Sequence, residues 1–162
     1  MGEPRAKRIE QEIQQRRPFA TPEQACLVGL LRTADVVRRR VASVIEPHGV
    51  TLQQYNVLRI LRGAGEEGLH TLDIAERMIE QAPGITRLLG RLERKRLVSR
   101  TRSGSDQRCV VCRITRRGLA LLARLDAPVA GADARCLGGL APADVERLIR
   151  LLDAVRATRE PP

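Results

Sequence analysis

The chain has 162 residues, 43% of them hydrophobic, which suits one domain with a core of its own. That apolar content is Leu, Val, Ile and Ala, with Phe19 and Tyr55 the only aromatics; this argues against single-strand nucleic-acid binding on aromatic platforms and for aliphatic packing between helices. No apolar run approaches the roughly 20 residues of a bilayer span and the polar start has no secretory h-region, so no membrane association is expected and a cytoplasmic location is the default.

Residues 1–20 read as a flexible polar tail, with helical turns around residues 7–16. Thr21-Pro22-Glu23 is a helix start, Thr21 as N-cap and Pro22 at the first helical position. Leu27, Leu30, Leu31, Ala34, Val37, Val41, Val44 and Ile45 then keep a helical period to about residue 46, where Pro47-His48-Gly49 ends it. This helix is too long to be covered by a small domain alone, so part of it is expected to meet a second subunit.

Thr51 caps the next helix, with Tyr55, Val57, Leu58 and Leu61 inward. Gly63 to Gly68 is a loop, and Leu69-His70-Thr71 a short strand. Thr71 starts a helix with Leu72, Ile74, Ala75 and Met78-Ile79 on its apolar side. Glu80 to Pro83 connects it to the next helix, where Pro83 near the start costs no hydrogen bond.

Residues 84–117 hold eleven basic and two acidic residues, a net +9 of the chain's +10. Charge gathered in this way suits a polyanion. Ile85, Leu88, Leu89 and Leu92 fall at i, i+3, i+4 and i+7, one face of a helix. Arg87, Arg91 and Arg94 sit on the opposite face, with Lys95 at the edge of the row. Leu97 to Arg102 reads as a strand, Ser103-Gly104-Ser105-Asp106 as a turn, and Cys109 to Ile114 as the returning strand. Arg100, Arg102 and Arg108 lie on the arms of this hairpin. A short basic helix running into a basic hairpin is the outline of a winged helix-turn-helix.

Thr115 caps a helix through Leu119, Leu121, Leu122 and Leu125, which Pro128 should kink or break. Residues 130–141 read as a bend. Pro142 opens a last helix with Val145, Leu148, Ile149, Leu151, Leu152 and Val155 on its apolar side.

Chemistry-bearing groups are few. Cys109 and Cys112 form a C-x2-C pair, but in a strand the two side chains point to opposite faces. No second pair supports zinc, and His48 and His70 are distant. There is no carboxylate pair, phosphate loop or nucleophile with a nearby base. No catalytic site, metal or cofactor is therefore expected.

With these elements in place, the chain resembles the MarR-type winged-helix transcription regulators over about residues 24–157. The residues that carry the resemblance are Gly49 to Tyr55, Ile85-Thr86-Arg87-Leu88-Leu89, Arg91-Leu92-Glu93, Leu97-Val98-Ser99-Arg100, Asp106-Gln107-Arg108 and Ile114 to Gly118. The resemblance implies a mainly α fold with a small β-hairpin wing and long N- and C-terminal dimerisation helices. It divides the chain into a tail (1–20), an N-terminal dimerisation helix (21–50), a winged helix-turn-helix DNA-binding domain (51–117) and C-terminal dimerisation helices (118–158). It implies a homodimer that sets a recognition helix in the major groove of double-stranded DNA and a wing against the minor groove. Thr86 and Arg87 become candidates for base contact, Arg91 and Arg94 for bases or phosphates, and Lys95, Arg100 and Arg102 for the basic surface around them. Asp106 would orient the wing and Arg108 would reach the minor groove. The family often takes small phenolic or anionic effectors.

This chain departs from the family pattern at three positions. Gln107 stands where another Arg is frequent, Gly90 lies within the recognition helix, and Arg96 stands where a helix-ending Gly is usual. Two alternatives stay open at this point. Cys26, early in the first long helix, is a candidate redox thiol for a peroxide-responsive regulator; such a role needs exposure and a lowered thiol pKa. A non-specific architectural DNA or RNA binder would use the same charge without base readout.

Overall fold

The computed structural model describes residues 7–80, 84–103 and 106–158; of residues 102, 103 and 106–109 only the backbone is described. The chain divides between Arg40 and Val41 into two compact units. The first holds a four-residue helix, α1 (Ile9–Glu12), and most of α2 (Pro22–Ile45). Within it Arg32 donates to Glu12 at 2.8 Å, and Asp35 pairs with Arg38 at 2.7 Å and with Arg39 at 2.8 Å. The bond from Arg38 holds the Asp35 carboxyl below its usual range. Exposed pairs of this kind are screened by solvent and add little to stability. Leu27 and Leu31 are exposed, Leu31 to 72%.

In the second unit a 3-10 turn (Glu46–His48) closes on Gly49 in the left-handed conformation, φ 78°. Thr51 then caps α3 (Leu52–Ala64) in a capping box. Its Oγ1 accepts from the Gln54 N–H, and its own N–H donates to Gln54 Oε1, both at 3.3 Å. Tyr55, Val57, Leu58 and Leu61 are buried, as their helical spacing requires. Three strands make a small antiparallel sheet in the order β1-β3-β2: β1 (Leu69–His70), β2 (Val98–Ser103) and β3 (Asp106–Ile114). Leu69 pairs with Cys112 and Val98 with Ile114, and the register slips between Arg102 and Ser103. The short first strand expected from Leu69-His70-Thr71 is therefore present.

The helices α4 (Thr71–Glu76) and α5 (Ile85–Arg94) precede the hairpin, and α6 (Arg116–Leu137) and α7 (Pro142–Ala157) follow it. The connection through Gln81, Ala82 and Pro83 lies outside the described residues. One aliphatic core runs through Ile45, Leu58, Leu61, Ile74, Leu89, Leu92, Leu122 and Leu125.

Four sequence expectations are corrected. First, α4 stops at Glu76, and Leu72 (75%) and Ile79 (85%) are exposed where an apolar face was expected. A six-residue helix has one inward position, and Ile74 fills it. Second, Leu119 is exposed, while Gly118, Leu121, Leu122 and Leu125 face the core. Third, Pro128 does not break α6. It removes one N–H and frees the carbonyl of Arg124, but both residues are exposed, so water can solvate what is lost, while Val129 and Ala132 beyond it are buried. Fourth, the bend expected over residues 130–141 is consequently confined to 138–141, after the helix.

Candidate nucleic-acid interface

The basic helix α5 begins at Gly84, whose φ of 96° is left-handed. It accepts at its carbonyl from Arg87 N–H (2.9 Å) and Leu88 N–H (3.2 Å). Leu88, Leu89 and Leu92 are buried, while Thr86, Arg87, Arg91 and Arg94 are exposed. The two faces inferred from spacing are thus physically separated: aliphatic carbons fix the helix and three guanidinium groups stand in solvent.

The C-terminus of α5 is closed by a Schellman turn. The Leu97 N–H donates to Leu92 O at 3.0 Å and the Arg96 N–H to Glu93 O at 2.8 Å. Buried Leu97 and Leu92 provide the apolar contact that accompanies this motif. Arg96 is the left-handed residue, φ 59°. The conformation expected for a helix-ending Gly is therefore kept without the Gly. Two bonds anchor the turn to the start of α6: Thr115 N–H to Leu97 O (3.0 Å) and Thr115 Oγ1–H to Arg96 O (2.8 Å). Gly118 lies so close that a Cβ there would run into Leu97 O, with Ile114 Cγ1 at 2.7 Å.

Two of the basic residues singled out in the sequence are bonded to the protein itself. The Lys95 ammonium donates to Gly49 O at 2.6 Å and to Gln54 Oε1 at 2.9 Å, which latches the end of α5 to the start of α3. Arg100 reaches back from β2 to Glu93, 3.5 Å away. Its Nε is buried with no hydrogen-bond partner. The side chains of Arg102, Asp106 and Arg108, like that of Cys109, lie outside the described residues.

The thiols divide by environment. Cys26 is exposed on α2, Cys136 is half-buried, and Cys112 is wholly buried. Burial pushes the Cys112 thiol up, against the opposing influence of Thr71 and Arg100, so it is poorly ionised. Among the described residues no group of acids, cysteines and histidines could hold a metal ion, and no helix is long and apolar enough to cross a membrane.

Sequence reasoning missed Gln54, the one buried polar residue among the described residues, at 3% exposure. The Thr51-x-x-Gln54 spacing of a capping box was the available signal. It also missed Glu93 as partner of Arg100, and Gly118 as the point of close approach to Leu97.

The two-faced helix, its short neighbour α4 and the three-stranded sheet together define a winged helix-turn-helix. The MarR family model matches residues 50–110. An HTH-type transcriptional repressor of Mycobacterium tuberculosis is 32% identical over 124 residues, 76% of this chain and 88% of the relative. A crystal structure of a MarR transcription factor from Planctomyces limnophilus is 39% identical, covers 85% of this chain and 99% of its own, and superposes with a TM-score of 0.66. The PcaV regulator of Streptomyces coelicolor, solved with its natural ligand, is 25% identical with a TM-score of 0.70, over 89% of this chain and 98% of its own. The chain belongs to the MarR family of DNA-binding transcription regulators, which are not enzymes.

Proposed function

We propose that the protein is a homodimeric repressor that binds a near-palindromic operator in double-stranded DNA, in the compartment that holds the genome. The single observation that carries this reading is α5, anchored by Leu88, Leu89 and Leu92 with Arg87, Arg91 and Arg94 in solvent. Thr86 and Arg87 at its N-terminal end contact base edges, and Arg91 and Arg94 contact bases or phosphates; Arg offers guanine a bidentate fork. Arg102, Asp106 and Arg108 serve the wing, where a narrow minor groove attracts positive charge. The bonds of Lys95 to Gly49 and Gln54 and the buried Nε of Arg100 favour a supporting role for these two. Residues 51–117 form the DNA-binding domain.

The dimerisation segments are residues 21–50 and 118–158. A second copy of the chain would cover Leu27 and Leu31 in the first and Ile149, Leu151 and Val155 in the second, all exposed in a single chain. Two recognition helices would then stand about 34 Å apart, one turn of DNA. Release by a small ligand is supported by the ligand-bound PcaV relative.

The test begins with a duplex selected from a random pool. Arg91→Ala should weaken binding and lower the slope of log affinity against log salt by about one unit for a lost phosphate contact. Leu151→Glu with Val155→Glu should convert the dimer to a monomer by light scattering. Equal affinity for selected and random duplexes would refute sequence-specific regulation, because specific binders favour their sites by about 10³ or more.

A further inference from the structure

Gly90 lies within α5 in ordinary right-handed helix and is not among the glycines of positive φ. A Cβ added to it would meet nothing within 4 Å. Neither backbone conformation nor packing within the chain therefore asks for glycine here, and glycine weakens a helix interior relative to alanine. An open helical glycine by itself carries nothing, since Gly29 and Gly63 are open too. What distinguishes Gly90 is its place. At about 100° per residue it stands roughly 150° from the middle of the face that Leu88, Leu89 and Leu92 bury. Thr86 and Arg87 lie one turn before it and Arg94 one turn after, all three exposed. The basic face of α5 thus has a gap at its centre.

The gap is defined by chemistry as well as by space. Gly90 has no side-chain donor or acceptor, and at mid-helix its peptide groups are used by the helix ladder. A helix in the major groove faces base edges that carry ring nitrogens, carbonyl oxygens and amino groups, and on thymine a C5-methyl group. A polar edge pressed against Gly90 gives up water and gains no partner. The methyl group has no partner to lose and gains from burial. Arg87 and Arg94, on either side, carry the forks that suit guanine.

We propose that Gly90 is a specificity-determining residue: the gap it leaves between Arg87 and Arg94 seats the C5-methyl group of one thymine in each half-site. The proposal rests on the regulator reading above and adds one base to what α5 reads through its arginines. A methyl group placed on residue 90 and the methyl group of that thymine then compete for one space.

The test crosses Gly90→Ala with duplexes in which thymine is replaced by uracil, which deletes the methyl group and leaves every hydrogen-bonding group of the base. Selection from a random pool by the wild type comes first. If no duplex is enriched, the regulator reading fails; every later result bears on Gly90 alone. Uracil at one thymine position should weaken wild-type binding about fourfold per half-site, the value of one buried methyl group. Gly90→Ala should bind the thymine duplex about tenfold more weakly than wild type, and should prefer the uracil duplex to the thymine one. The same variant should melt about 1–4 °C higher than wild type, so that its loss of affinity is not a loss of fold. Gly63→Ala, at the other open position, should leave binding unchanged. A selected half-site without thymine, uracil that costs nothing at every position, or Gly90→Ala that binds the thymine duplex as tightly as wild type would overturn the proposal. So would equal weakening by Gly90→Ala on selected and random duplexes, or effects of alanine and uracil that simply add. A Gly90→Ala variant that melts lower would overturn it too, because the fold itself would then need the glycine.

Discussion

Replacing Arg96 by Gly should make this protein more stable. Arg96 holds φ 59° at the Schellman turn after α5, a conformation that costs an L-residue roughly 1–2 kcal/mol. Gly adopts it freely but loses more freedom on folding, which takes back about 0.5–1 kcal/mol. The backbone bonds that define the turn, from Leu97 to Leu92 and from Arg96 to Glu93, are untouched. The net gain is then about 0.5–1 kcal/mol, and a chain of 162 residues should melt about 1–4 °C higher. Thermal unfolding followed by circular dichroism measures this, at one protein concentration because association would shift the midpoint. Arg96→Ala is the control: it removes the charge and keeps the Cβ, so it should show no such gain. A Gly variant that melts no higher than wild type, or an Ala variant that matches Gly, would refute backbone strain as the cause.

Gly118→Ala should destabilise by about 1–3 kcal/mol, because its Cβ would meet Leu97 O and Ile114; urea titration reads this, and an unchanged midpoint would mean the turn and α6 can separate without cost. Lys95→Met should lower stability by about 1–2 kcal/mol through loss of its bonds to Gly49 and Gln54; affinity for a selected duplex should fall by more than one lost charge explains, which a salt series separates. Asp126→Asn tests the link between α3 and α6 by pH. The bonds from Arg62 hold the Asp126 carboxyl below the usual carboxylate range, so wild type should exceed the variant in stability at neutral pH. That advantage should vanish as the pH falls through the lowered pKa; an advantage that persists in acid would point to packing instead.

Much of this architecture was legible because its signals are local. Ile85, Leu88, Leu89 and Leu92 state one face of α5 within eight residues, and Thr51 and Thr115 announce the helices they cap. The features that escaped depend on partners distant in sequence. Lys95 looks like the fourth member of a basic row until Gly49, 46 residues earlier, folds against it. Arg100 lies on an arm of the hairpin, yet Glu93 and the buried surroundings of Cys112 turn it inward. The break allowed for at Pro128 fails for the opposite reason: its local penalty is real, but exposure on one side and Val129 on the other keep the helix continuous. Exposed Leu72 and Ile79 show that a short helix cannot honour every apolar position its period offers.

The oxygen of Gln54 has one further implication. Its two lone pairs are both engaged, one by the Thr51 amide and one by the Lys95 ammonium. Positions 54 and 95 are therefore expected to be epistatic. Gln54→Leu leaves the ammonium only Gly49 O, and Lys95→Leu leaves the amide oxygen only the Thr51 amide, while the two exchanges together lose their shared bond once; the double variant should therefore cost less than the sum of the two single ones.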